Sequence, residues 1–265
     1  MGHSYRIHWE QYGDPARTPV LFLHGFMGSC ADVDDLLPLT DNFRLIAVDL
    51  PGHGRTAAGP DPDNYTMESC AAELAGFLTD QGLDRFFVVG YSMGGRLGLY
   101  LAMRYPSMVD KAVIESGSPG LRSEQERRAR IGRDEAVVRL LGATTMRQFV
   151  EKWYGQSLFD SLRNNGERFR EIVERRLTND PQGLILSLRM MGTGVQPSLW
   201  EELDRIRAPL LLIAGEKDRK FVDIAQSMAS ACRRAEVAIV EGAGHNVQVE
   251  NPQGFVTRVR RFLED

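Results

Sequence analysis

Cysteine is scarce in this chain: three residues in 265, at Cys30, Cys70 and Cys232, widely spaced and odd in number. No CxxC pair occurs, so neither a zinc site nor a disulfide framework is indicated. Buried free thiols in a reducing cytosol are the expectation. No apolar run approaches the roughly 20 residues that a membrane span needs. The opening residues, MGHSYRIHWEQYG, hold no apolar core of a secretory signal and pass directly into a strand-like pattern. An excess of basic charge is missing as well. Lysine plus arginine number 32 against 36 aspartates and glutamates, a formal net charge of −4. Such a chain has no general field for nucleic acid or an anionic membrane surface. A cytoplasmic protein with a small-molecule ligand is expected, with neither nucleic acid nor membrane as partner. A monomer is expected too.

What is present is a series of short apolar runs, each closed by a glycine-containing turn. They are VLFLHG (20–25), LIAVDLPGHG (45–54), FFVVGYS (86–92), AVIESGSPG (112–120), LLLIAG (210–215) and VAIVEGAGH (237–245). The runs are nearly continuous rather than alternating, as strands buried on both faces of a mainly parallel sheet require. Helical patterns lie between them, at 66–81 and 93–104, the first opening on Thr66 as an N-cap. Strands alternating with helices predict an α/β fold, a mainly parallel sheet flanked by helices.

The alternation stops between about 121 and 203. That stretch is helical in pattern and, from Arg122 to Arg176, holds twelve arginines against one lysine, Lys152. An all-helical insertion in an α/β core predicts a cap over the carboxyl ends of the strands, where open sheets place their ligands. The expected division is a core of 1–120 and 204–265 with a helical cap of 121–203.

GYSMG (90–94) matches G-x-S-x-G, preceded by a strand pattern and followed by a helical one, the context the motif needs. The glycines clear space around a tight strand-to-helix turn, which lifts the Ser92 hydroxyl clear of the sheet at a helix N-terminus. A serine hydroxyl is inert near neutral pH without a base. Of five histidines, His245 follows the run 237–241 and precedes the last helix, which suits that base. The acid that orients it is expected after a late strand, and EKDRKF supplies Asp218; Glu115, at the end of KAVIES, is the rival. The order Ser92, Asp218, His245 is that of an α/β-hydrolase triad. The oxyanion donors expected with it are the backbone amides of Met93 and of Phe26, in the HGF turn.

LHGFMGS, DLPGHG, GYSMGGR and GAGH together resemble the α/β-hydrolase superfamily across 18–117 and 209–263. Outside the triad, ESGSPGLRSEQERRARIGRD (115–134) and LRMMGTGVQPSLW (188–200) resemble the MenH family, the 2-succinyl-6-hydroxy-2,4-cyclohexadiene-1-carboxylate synthases of menaquinone biosynthesis. The likeness covers nearly the whole chain, cap included. It implies a carbon–oxygen lyase that eliminates pyruvate from an enolpyruvyl-bearing cyclohexene without water, metal or cofactor. It also implies a substrate with three carboxylates. Arginine suits planar, two-pronged carboxylate recognition. On this resemblance Arg96, Arg130 and Arg176 match pocket arginines, with Arg175 next door to the last, and Tyr91 and Trp153 match pocket residues.

Most of the twelve arginines are expected to be solvated partners of nearby glutamates, such as Glu124, Glu126, Glu171 and Glu174, with two or three left for substrate. Two rival functions use the same residues. One is a carboxylesterase or carbon–carbon bond hydrolase acting on an acidic substrate, and the other is a binding protein for an acidic metabolite.

Overall fold

The computed structural model describes residues 3–265. Seven strands form one sheet: β1 (Trp9–Tyr12), β2 (Pro19–Leu23), β3 (Arg44–Val48), β4 (Phe86–Tyr91), β5 (Val109–Glu115), β6 (Leu210–Gly215) and β7 (Ala235–Val240). Their spatial order is β1-β3-β2-β4-β5-β6-β7. Only β1 runs antiparallel, pairing Trp9 with Val48 at the sheet edge. The other pairs are parallel, as the unbroken apolar runs predict.

Alternate side chains of each central strand enter different cores. Leu21, Leu23, Val88, Ile114 and Leu212 pack with α1 (Met67–Asp80) and α2 (Met93–Arg104). Val20, Phe22, Val89, Val113 and Ile213 face the opposite way. There they meet the 3₁₀ helix Cys30–Asp41 and Phe255, Val259 and Phe262 of the last helix. Thr66 caps α1 through its side chain, which accepts from the Ser69 amide. All three cysteines are buried and free. No helix among the described residues is long and apolar enough to cross a membrane.

Between β5 and β6 the chain forms α3 (Glu124–Ala143), α4 (Met146–Tyr154), α5 (Asp160–Arg163), α6 (Gly166–Arg176) and α7 (Pro181–Met191). Reciprocal capping boxes start two of them, Ser123 with Glu126 and Thr145 with Gln148. The apolar faces meet around Phe149, Val150, Phe159, Leu162 and Leu184, a third core that also takes in Met27 and Val249 from below. The remaining helices, α8 (Arg219–Ala231), α9 (Val247–Glu250) and α10 (Pro252–Glu264), close the chain.

The cap arginines divide into two kinds. Arg128 with Glu124 is a solvated i,i+4 pair of the sort the sequence pattern predicts. On α6, Arg168, Arg175 and Arg176 reach across to Asp35, Asp34 and Asp32 of the ADVDDLL run, and Arg168 also pairs locally with Glu171. Three ion pairs thus join α6 to the 3₁₀ helix Cys30–Asp41.

Candidate active site

The strand-to-helix turn after β4 sets Ser92 at φ +50°, in the left-handed region that non-glycine residues seldom occupy. The flanking glycines permit this. A Cβ at Gly90 would lie 2.4 Å from the Gly94 carbonyl oxygen, and one at Gly94 would lie 2.1 Å from that of Leu23. The Ser92 amide donates to the Glu115 carbonyl at 2.8 Å, which ties the turn to the neighbouring strand end.

Three loops at the carboxyl end of the sheet bring the triad together. Ser92 Oγ donates to His245 Nε2 at 3.2 Å, and His245 Nδ1 donates to Asp218 Oδ2 at 2.7 Å. Asp218 and the imidazole are both buried, and Tyr91, Phe159 and Phe221 surround the ring. This geometry selects the neutral tautomer with its proton on Nδ1, leaving Nε2 to accept from serine. Glu115 makes no hydrogen bond to His245. Its Oε1 accepts from the Gln248 amide at 3.1 Å, and burial pushes its carboxyl up to about 8. Outside the regular helix and strand ladders, the amides of Phe26 and Met93 donate to no backbone acceptor among the described residues.

Above Ser92 lies a cavity of about 760 Å³ between sheet and cap. Phe26, Tyr91, Met93, Arg96, Arg130, Trp153 and Arg176 all line it. Phe26 and Trp153 pack with ring centres 5.0 Å apart, one from the core and one from the cap. The three arginines differ in their partners. Arg130 donates through Nε to Asp134 at 2.8 Å. Arg176 gives both terminal nitrogens to Asp32 at 2.8 Å and its Nε to the Tyr154 hydroxyl at 3.1 Å. Its neighbour Arg175 turns to Asp34 and does not line the cavity. Arg96 has no carboxylate partner among the described residues. It donates from one terminal nitrogen to the Met191 carbonyl and the Gln196 side chain. Burial, then the proximity of Arg130, pushes its guanidinium down to about 9, so it stays charged at neutral pH.

Sequence reasoning missed several lining residues. Arg122, Arg133 and Lys220 are exposed cations at the cavity wall, so the basic lining extends past the three matched arginines. Lys220 follows Asp218 by two residues, and its place could have been read from the acid's. Asp32 carried no signal, because its partner Arg176 lies on a helix whose packing a sequence pattern does not reveal, whereas Asp134 stands four residues after Arg130 on the same helix and was legible as its i,i+4 partner.

This arrangement of sheet, serine turn and triad decides the family, and comparison agrees. A family model described as alpha/beta hydrolase fold matches residues 18–252. The chain belongs to the α/β-hydrolase fold family. Within it, a Bacillus subtilis protein provisionally named 2-succinyl-6-hydroxy-2,4-cyclohexadiene-1-carboxylate synthase is 40% identical over 95% of this chain and 92% of its own length. The Salmonella typhimurium synthase of that name is 31% identical, over 95% of this chain and 96% of its own. Among solved structures, MenH from S. aureus superposes with a TM-score of 0.92 at 32% identity, covering 97% of this chain and 98% of that one. These likenesses cover nearly the whole chain, the helices between β5 and β6 included.

Proposed function

We propose that this chain is a 2-succinyl-6-hydroxy-2,4-cyclohexadiene-1-carboxylate synthase of menaquinone biosynthesis, a lyase that eliminates pyruvate from 2-succinyl-5-enolpyruvyl-6-hydroxy-3-cyclohexene-1-carboxylate. The observation that carries the reading is the cavity: a triad serine at its floor, and around it Arg96, Arg130 and Arg176 in a chain whose net charge is negative. Full-length likeness to synthases of that name supports the same reading.

In this mechanism Asp218 holds His245, and His245 draws the Ser92 proton so that the serine oxygen acts as a base. It removes the ring proton next to the succinyl ketone. The electron pair of that C–H bond moves toward the ketone, whose oxygen gains negative charge. The amides of Phe26 and Met93 stabilise that oxygen. The charge then returns through the ring double bond, the carbon–oxygen bond to the enolpyruvyl group breaks, and pyruvate leaves as its enolate to collect a proton. The product is the conjugated diene. No acyl-enzyme forms, and a serine whose Oγ lies 3.2 Å from the histidine is placed for proton transfer. Arg96 and Arg130 meet substrate carboxylates by charge-assisted hydrogen bonds, with Tyr91 and Trp153 packing against the ring. Arg176, held by Asp32, shapes the wall on which the third carboxylate rests.

The reading includes a cytoplasmic monomer acting on a small polycarboxylate without metal or cofactor, and three buried unpaired cysteines fit a reducing compartment. The cap of 121–203 over a core of 1–120 and 204–265 is the division of labour it needs. The test is pyruvate release from the cyclohexene substrate, followed with a coupled lactate dehydrogenase. Efficient turnover of simple esters with no pyruvate release would instead establish a hydrolase.

A further inference from the structure

Two of the three matched cavity arginines have a carboxylate partner within the protein. Arg130 has Asp134, and Arg176 is fully engaged by Asp32. Arg96 is held differently. Its Nη1 donates to the Met191 carbonyl at 2.7 Å and to Gln196 Oε1, both neutral acceptors. Its Nε and second terminal nitrogen have no protein partner among the described residues and belong to a side chain that lines the cavity.

Gln196 is itself fixed in place. It is buried, at 3% exposure. The amides of Val195 and Gln196 both donate to the Gly192 carbonyl at 3.0 Å, making a tight turn directly after α7. Leu199 N then bonds Pro119 O at 2.7 Å, and Trp200 Nε1 bonds Gly120 O at 2.9 Å, which pins the outgoing segment to the incoming one. An acceptor on a segment held this firmly gives the guanidinium one orientation. Two anchors on one nitrogen leave the opposite edge, the pair of donors that matches a carboxylate, without a protein partner among the described residues, on a side chain that lines the cavity.

We propose that Gln196 is the positioning residue for Arg96: with the Met191 carbonyl it fixes the guanidinium without cancelling its charge, and so defines the subsite for the substrate carboxylate nearest Ser92. The inference rests on the synthase reading for the identity of that carboxylate, but not for the anchoring itself. The side-chain type is the point. A glutamate has the same shape and reach, and would hold Arg96 at least as strongly, yet it would neutralise the cation as Asp32 does Arg176. An amide separates orientation from charge.

Gln196→Glu and Gln196→Met are the variants that test this, each compared with the unaltered chain in the pyruvate-release assay. For Q196E the expected outcome is thermal stability unchanged or raised and KM raised about tenfold or more, with kcat changed less, since a charge-assisted contact to substrate is lost. Q196M removes one anchor and leaves the charge, so a KM rise smaller than that of Q196E is expected. A merely structural glutamine would give the reverse, with Q196M unstable and Q196E normal in KM once folded. In parallel, succinate serves as a simple carboxylate probe: it should raise the melting temperature of the unaltered chain and fail to raise that of Q196E. If the unaltered chain releases no pyruvate, the synthase reading fails while the succinate comparison still judges the anchoring. KM within twofold of the unaltered chain in both variants, or an equal succinate response in the unaltered chain and Q196E, none in either included, overturns the inference.

Discussion

The Arg176 guanidinium and the Asp32 carboxylate form a two-pronged ion pair, each nitrogen 2.8 Å from its own oxygen, with side-chain exposures of 5% and 7%. Such a pair gains little over an apolar contact of equal size, but breaking it leaves one charge buried alone. Asp32→Ala should therefore cost about 3–5 kcal/mol of stability. The neighbouring Arg175–Asp34 pair is 29% and 37% exposed, and solvent screens it. Asp34→Ala should cost less than about 1 kcal/mol. Urea unfolding of the two variants measures the contrast, and equal losses would show that burial does not set the strength of this cap–core junction.

Ser92→Ala should lower kcat by about three orders of magnitude or more while leaving KM within a few-fold, because the serine oxygen acts only as the proton moves. Asp218→Asn keeps the shape but removes the charge that stabilises the imidazolium, and a loss of similar scale is expected. Melting temperatures near that of the unaltered chain would show that chemistry, not folding, was lost. A serine-free variant that still released pyruvate at the original rate would remove Ser92 from the mechanism.

Arg96→Ala should raise KM about ten- to hundredfold, the cost of one charge-assisted contact to a carboxylate. Arg96→Lys restores the charge but not the planar pair of donors, and should recover only part of the loss. Steady-state pyruvate release over a range of substrate concentrations separates KM from kcat. Full recovery with lysine would mean that the subsite recognises charge alone.

The sheet and the triad were legible in the sequence for a physical reason. Strands buried on both faces must be apolar at every position, so Leu21, Phe22 and Leu23 announce β2 without help from periodicity. The serine turn is equally explicit, because a Cβ at Gly90 or Gly94 would lie 2.4 Å or 2.1 Å from a backbone oxygen. The short edge strand β1 was harder, being half-buried along its length and made of Trp9, Glu10, Gln11 and Tyr12. The cap's joining pairs were illegible. Asp32, Asp34 and Asp35 lie 133 to 144 residues from their arginines, and nothing in ADVDDLL or RFREIVERR specifies the partner. Local charge patterns within α6 predicted one pair that forms, Arg168 with Glu171, but not the partners that packing supplied across to the 3₁₀ helix. Gln196 was invisible for the same reason, since an amide acquires its role only from what the fold sets beside it.

Glu115 provides a test by pH. It is wholly buried at the end of β5, where burial raises its carboxyl from 4.5 to about 8. Its Oε2, with Asn246 Oδ1 and Gln248 Oε1, is a buried oxygen without a partner among the described residues, a setting in which an added negative charge is unwelcome. At pH below 4.5 the folded and unfolded chains both hold this proton, and the group exerts no pH-dependent effect. Between 4.5 and about 8 the unfolded chain gives the proton up while the folded one keeps it, so stability is lost progressively as pH rises, until the folded carboxyl also ionises. Glu115→Gln keeps an acceptor for the Gln248 amide, three residues past His245, and cannot ionise. Its stability relative to the unaltered chain should therefore climb across that window, with a slope approaching about 1.4 kcal/mol per pH unit in the middle. Urea unfolding at intervals through the window, with both chains in the same buffers, reads the difference directly. A difference that stays constant with pH would mean that Glu115 is already ionised in the folded protein, and that the buried oxygens beneath the His245 loop tolerate its charge.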